Sequence, residues 1–375
     1  MEYVQTEAGL RALVEATAGA GLIALDTEAA GYHRYLDRIC LIQLSTRNRT
    51  FIVDPLAVAA LQPLEAILVD ASTEVVLHDA DYDLRLLWRD HGLRIAKLFD
   101  TKIAAQFAGE PSIGLASLVE KHLDVRLDKR HQRADWAQRP LTADMLEYAA
   151  EDTRHLPALR DILYAELERL GRLSWAEEEF DLIVATQGDV TTEDREAFLR
   201  IKNARDLRPR QLAALRELHG WREDVARERD VAPFRVLSNE ALTDLARRMP
   251  EQAGGLAGVG GLSPALAQRR GAEILAAVQR ARAIPDDQLP VRPRGPRRPP
   301  PDPALEARVE QLKRARDDAA DALGLDRGFL MPRQRLEALA RSRPNNAGEL
   351  QQVDGVRRWQ VEALGTDLLK ALRKG

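Results

Sequence analysis

The chain has a single cysteine among 375 residues, so no disulfide can form within it. Cys40 sits in the apolar run Ile39-Cys40-Leu41-Ile42, where it reads as an inert core thiol, and a reduced, cytoplasmic setting is expected. Aromatic residues make up only 5%, so the cores must rest on Leu, Ala and Val. No run of 18 apolar residues occurs and no charged-then-apolar leader opens the sequence, so neither a membrane span nor export is expected. No Gly-x-x-x-x-Gly-Lys-Ser/Thr phosphate loop is present, which argues against a helicase.

What is present suffices for two or three domains. The chain is 45% hydrophobic and 30% charged, a balance that can bury a core. Its net charge of −4 hides an asymmetry. Residues 1–187 hold 20 Lys and Arg against 31 Asp and Glu, a net of −11, whereas residues 188–375 hold 35 against 28, a net of +7. An acidic region suits cations and a basic one suits a polyanion, although ordinary solvated surfaces would look the same.

Residues 1–187 read as a mixed α/β domain. Leu22–Leu25, residues 38–44, residues 50–55 and residues 74–78 are strand-like, and short connections make the early strands antiparallel neighbours. Helices are expected from Thr6, over 61–68, through Leu84, Leu87 and Trp88 to Gly92, over 100–107 and 115–122, and from a cap at Thr142. Residues 190–283 read as helices joined by short turns, and 304–375 as a second helical block. Between them, 284–303 carry so much proline that an extended linker is expected. The two helical blocks repeat at a constant offset of 94, with Leu242, Pro250, Val259, Gly261 and Gly271 matching Leu336, Pro344, Val353, Gly355 and Gly365. Coincident proline and glycine positions, which set backbone breaks, point to duplication of one small helical module.

The chemistry lies in the acids. Asp26 and Glu28 end the Leu22–Leu25 strand one residue apart, hence on one face. Two carboxylates so close repel each other, and a hard divalent cation would relieve them. Taken alone, Asp26 could equally be a cap and Glu28 a solvated loop residue. His78-Asp79-Ala80-Asp81-Tyr82-Asp83 falls where a strand meets a helix, a usual place for a site, though one of these acids could simply favour the helix N-terminus. Tyr148 and Asp152 are i and i+4 on a helix, beside the small Ala149 and Ala150.

Together these residues resemble the ribonuclease D family of the DEDD superfamily of 3′→5′ exonucleases. Leu25-Asp26-Thr27-Glu28 is similar to its first motif, His78 with Asp83-Leu84 to its second, and Tyr148-Ala149-Ala150-Glu151-Asp152 to its third, in the tyrosine-bearing subgroup. Leu41-Ile42-Gln43-Leu44, Asp135-Trp136 and Arg139-Pro140-Leu141 add to the likeness, and the repeated modules resemble the helicase-and-RNase-D C-terminal domain. The resemblance implies an RNase H-like mixed sheet flanked by helices, then two small all-α domains that bind nucleic acid. It implies that Asp26, Glu28, Asp83 and Asp152 hold two divalent cations, Mg²⁺ or Mn²⁺, roughly 4 Å apart. Tyr148 would orient the attacking water. Gln43, His78, Lys129 and Arg139 are candidate substrate contacts, each with a structural alternative, and Arg208, Arg210, Arg247 and Arg248 are candidate phosphate contacts. The implied substrate is RNA with a single-stranded 3′ end, tRNA precursors above all, and a monomer is expected. The competing readings are a DNA exonuclease of the same superfamily and an inactive RNA-binding scaffold. One departure stands out: the family usually has a large apolar residue after the first-motif Glu, and here it is Ala29.

Overall fold

The structure, a computed structural model, describes residues 1–188, 196–291 and 302–373. The expected helical start at Thr192 and residues 292–301 of the proline-rich linker, with its arginines, lie outside the described residues. The chain forms two compact units. One comprises Met1–Glu28, Ile39–Val190 and Arg298–Gly375; the other comprises Ala29–Arg38 and Thr191–Arg297.

The first unit holds a six-stranded sheet of β1 (Glu2–Val4), β2 (Leu22–Ala29), β3 (Ile39–Ser45), β4 (Thr50–Val53), β5 (Glu74–Leu77) and β6 (Leu98–Asp100). The strand order is β1-β4-β3-β2-β5-β6. β3 and β4 are antiparallel, as short connections require, while β2 pairs with β5 and β5 with β6 in parallel. The sheet is therefore mixed. β2 lies in its interior, which is why Leu22–Leu25 are apolar without alternation: both faces are covered, and Ile23, Ala24 and Leu25 are fully buried. Three-residue β1 and β6 were not anticipated, because so short a run carries no readable period.

Around the sheet run α1 (Glu7–Thr17), α2 (Glu65–Leu68), α3 (Asp81–His91), α4 (Thr101–Ala108), α5 (Leu115–Leu123), α6 (Ala143–Arg154), α7 (Leu156–Leu170) and α8 (Leu173–Thr186). Thr6 caps α1 and Thr142 caps α6, each accepting from a backbone N–H of the first turn. Asp100 caps α4 through Lys102 N and Ile103 N, and also accepts from Asp79 N and Ala80 N at the start of α3. One buried carboxylate thus ties the origins of two helices together.

The second unit contains α9 (Pro209–Glu228), α10 (Pro233–Val236), α11 (Asn239–Arg248) and α12 (Pro264–Ala283); the first unit ends with α13 (Pro303–Leu323), α14 (Arg327–Leu330), α15 (Arg333–Ser342), α16 (Ala347–Gln351) and α17 (Arg358–Arg373). Adding 94 to the starts of α9, α10, α11 and α12 gives the starts of α13, α14, α15 and α17. The correspondence reaches side chains: buried Arg222 donates to Leu237 O, and buried Arg316, 94 residues on, donates to Met331 O. Met249 and Arg343 both take a left-handed φ at the end of α11 and α15.

Within the first unit the second copy packs against the sheet domain. Phe107 of α4 meets Phe329 and Trp359 edge-on at 4.8 and 4.9 Å, and Trp175 of α8 stacks on Trp359 at 5.8 Å. Glu178 accepts from Arg358 N and Trp359 N, so α8 supplies the N-terminal cap of α17, while Glu179 accepts from Trp359 Nε1. Arg172 donates to Phe107 O and Leu323 O. Gly109 comes so near that a Cβ there would stand 2.8 Å from Gly324 O.

Candidate active site

β2 presents its residues alternately to two helices. Asp26 and Glu28 face α6, where Asp152 waits, and carboxylate oxygens of these three lie within 4.8 Å of one another. Thr27, on the other face, donates to Asp83 Oδ1 of α3. The site thus sits where β2 ends, between the two helices that carry the remaining acids. Ala149 and Ala150 are fully buried, and their small side chains let α6 lie close on the sheet. Thr153 fixes that helix to β3 through a 2.8 Å hydroxyl contact with Ser45.

The electrostatics follow from this crowding. Burial, with Asp83, Asp152 and Glu28 facing it, pushes the Asp26 carboxyl well above the usual range. Burial, then Asp152 and Asp83, does the same to Glu28. Asp83 is pushed up to about 7 by burial, with Asp79 and Asp100 adding to the shift and the Thr27 hydroxyl opposing it. Asp152 is pushed up to about 7 by burial and by Glu151. Four such groups ionise together only if positive charge joins them. An all-oxygen, carboxylate-rich donor set fits a hard divalent cation.

Tyr148 stands one turn before Asp152 on the same face. Its ring lies 5.6 Å from that of His131, edge-on, and 5.9 Å from buried Trp136. His131 is in turn paired with Asp144 at 2.7 Å. Burial and the charges of Asp152, Glu28 and Asp26 raise the Tyr148 hydroxyl above its usual range, so it stays protonated at neutral pH. It is a hydrogen-bonding group rather than a base.

The remaining residues singled out in the sequence divide. His78 Nδ1 lies 2.9 Å from Thr101 Oγ1, whose own proton goes to Leu77 O. Burial lowers the His78 pKa to about 4, so the ring is neutral at pH 7. Gln43 is fully buried on the α6 side of β3, and neither of its amide atoms has a hydrogen-bond partner among the described residues. Lys129 is exposed. Arg139 is spent on the fold: it makes two 2.7 Å bonds to Asp54 and donates to Cys40 O, Trp136 O and Gln138 O. Its partner is 85 positions away, beyond any local motif. Arg210 is likewise held, by the last carbonyls of α12 and by Asp286. The sequence assigned no function to Thr27 or His131. For Thr27 the signal was available, since a residue between two acids on a strand must face the opposite helix.

Residues 1–168 match the family model described as 3′-5′ exonuclease, and residues 211–278 and 306–372 match that of the HRDC domain. Ribonuclease D of Escherichia coli is 39% identical over 290 residues, covering 77% of each chain. Ribonuclease D of Pseudomonas paraeruginosa is 33% identical over 352 residues, covering 93% of this chain and 92% of that one. The crystal structure of Escherichia coli RNase D, described as an exoribonuclease involved in structured RNA processing, superposes with a TM-score of 0.73 at 33% identity, covering 99% of this chain and 98% of that one.

Proposed function

Since the chain belongs to the ribonuclease D family and is a 3′-5′ exoribonuclease, we propose that it trims RNA with a single-stranded 3′ end, tRNA precursors among its substrates, and releases 5′-mononucleotides. The observation that carries this reading is the meeting of Asp26, Glu28 and Asp152 within 4.8 Å beside Tyr148. Asp26, Glu28, Asp83 and Asp152 would hold two divalent cations, Mg²⁺ or Mn²⁺. When bound, such ions supply positive charge against the scissile phosphate and make water easier to deprotonate. The chain's own contribution is placement. Thr27 holds Asp83 to β2, Asp100 fixes the start of α3, and α6 sets Tyr148 to donate a hydrogen bond to the attacking water. The enzyme acts as a monomer in the cytoplasm.

The test is stepwise shortening of a 3′-tailed RNA with Mg²⁺ or Mn²⁺, beside an all-DNA control. Asp152→Asn should abolish activity, and Tyr148→Phe should lower kcat by about 10- to 100-fold with little change in KM, in keeping with a lost positioning contact. Equal shortening of the DNA would overturn the substrate, and full activity in Asp152→Asn would overturn the site.

A further inference from the structure

Ten residues that follow Glu28, Ala29–Arg38, group with the second unit. Their shape is set locally. Ala30 N donates to Arg38 O, and Gly31 N donates to Asp37 Oδ1 at 2.8 Å. A Cβ on Gly31 would stand 2.4 to 3.0 Å from the Asp37 side chain, so the segment closes only around a glycine. Several contacts then fasten it to the first helical copy. Ala232 N donates to His33 O, Tyr35 N to Asp230 Oδ1, and Arg227 both bonds the Tyr35 hydroxyl and lies 5.0 Å from its ring. Arg34 pairs with Asp230 at 3.6 Å.

Tyr35 is thus an anchor, whereas Tyr32 is placed differently. It is 44% exposed, and beside it, at 5.5 Å between ring centres, stands Phe234 of α10, 50% exposed. In a chain with only 5% aromatics, two rings left in water side by side are a poor use of apolar surface unless something covers them. Arg235 secures the pair: its Nε donates to Tyr32 O, it contacts His33 Nδ1, and its guanidinium carbon lies 5.1 Å from the Tyr32 ring and 5.8 Å from that of Phe234. Two half-exposed rings with a fixed cation beside them have the composition that holds unpaired bases without regard to sequence, the rings taking the bases and the cation the backbone charge.

We propose that Tyr32, Phe234 and Arg235 form a stacking platform for single-stranded RNA. The proposal rests on the exoribonuclease reading above and adds a site to it. Chain connectivity supports its relevance, because Tyr32 follows Glu28 by four residues and their Cα atoms can be no more than about 14 Å apart.

The test uses the full chain, silenced by Asp152→Asn so that RNA persists, and an oligoadenylate carrying one abasic nucleotide moved along its length. Abasic substitution at one or two positions should weaken binding by about 5- to 150-fold, the range for loss of one stacked base. Adding Tyr32→Leu and Phe234→Leu should weaken binding to the intact RNA by a similar factor and erase the sensitivity to those positions. An unchanged affinity and an unchanged abasic profile would overturn the platform. A melting curve checks folding of the double variant. As a second measurement, Phe234→Trp should bind RNA as well as the parent, and its new indole fluorescence should be quenched by RNA; an unquenched indole would also overturn the proposal. Failure of the parent enzyme to shorten RNA with either metal is read separately and would overturn the exoribonuclease reading instead.

Discussion

The two helical copies share a backbone plan and spend it on opposite ends. In the second copy the short helix α14 carries Phe329, which packs on Phe107 and Trp359 and helps close an aromatic cluster with the nuclease domain. In the first copy the matching α10 carries Phe234, which remains half in solvent beside Tyr32. The N-termini of the last helices differ too. α17 has Trp359 as its second residue and takes its cap from Glu178, whereas α12 has Ala265 at the matching position and is capped by its own Ser263. Duplication supplied two equivalent modules. Substituting a few aromatics turned one into part of the catalytic domain's core and left the other with an open aromatic surface.

The contrast can be broken most directly at Trp359. Trp359→Ala should cost about 3–5 kcal/mol in denaturant unfolding, because a large side chain leaves a cavity lined by Phe107, Trp175 and Phe329. A cost below about 1 kcal/mol would mean that the second copy is merely adjacent. Next in size is a test of what the copies have in common. Arg222→Met and Arg316→Met should each cost about 1–3 kcal/mol by stranding the carbonyls of Leu237 and Met331, and the double variant should show the sum. Unequal costs would show that the copies diverged in their interiors as well as their surfaces.

Among the described residues neither copy contains a cluster like the acidic pocket, and a third measurement separates it from them. Asp83 and Asp152 titrate near 7 in the fold against an ordinary value near 3.8. A carboxyl that holds its proton more tightly when folded adds stability at low pH and loses that contribution as pH rises. The metal-free protein should therefore lose thermal stability between about pH 4 and 7. Mg²⁺ should restore it at pH 7, while Asp26→Asn should raise the metal-free stability by roughly 1 kcal/mol and blunt the response to Mg²⁺, since relaxing a strained site exchanges function for stability. The smallest effect belongs to the open surface: Phe234→Ala should change stability by less than about 0.5 kcal/mol, as befits a side chain that packs on little.

The parts of the fold visible in the sequence were those with a local cause. The all-apolar Leu22–Leu25 announced a strand covered on both faces, and alternation placed Asp26 and Glu28 together. The i, i+4 spacing aligned Tyr148 with Asp152, and the repeat of 94 announced two modules. What escaped depended on residues far apart in the chain. Arg139 could be singled out in the sequence, but its bonds to Asp54 could not. Asp100 is readable as the cap of α4, but its second role at the start of α3 comes from 20 residues away. The docking of the second copy is assembled from residues 107, 175, 329 and 359, none of which has a local signature. The attachment of Ala29–Arg38 to the first copy is equally long-range.

That aromatic cluster also sets an order of events during synthesis. Its members span more than two-thirds of the chain, so it cannot close while translation has yet to reach Trp359. Until then the nuclease domain has Phe107 and Trp175 uncovered and Glu178 without the helix end it caps. A chain interrupted partway would carry the acidic residues of the site on an unfinished support, so an enzyme that degrades RNA gains its full support only after translation has passed Trp359.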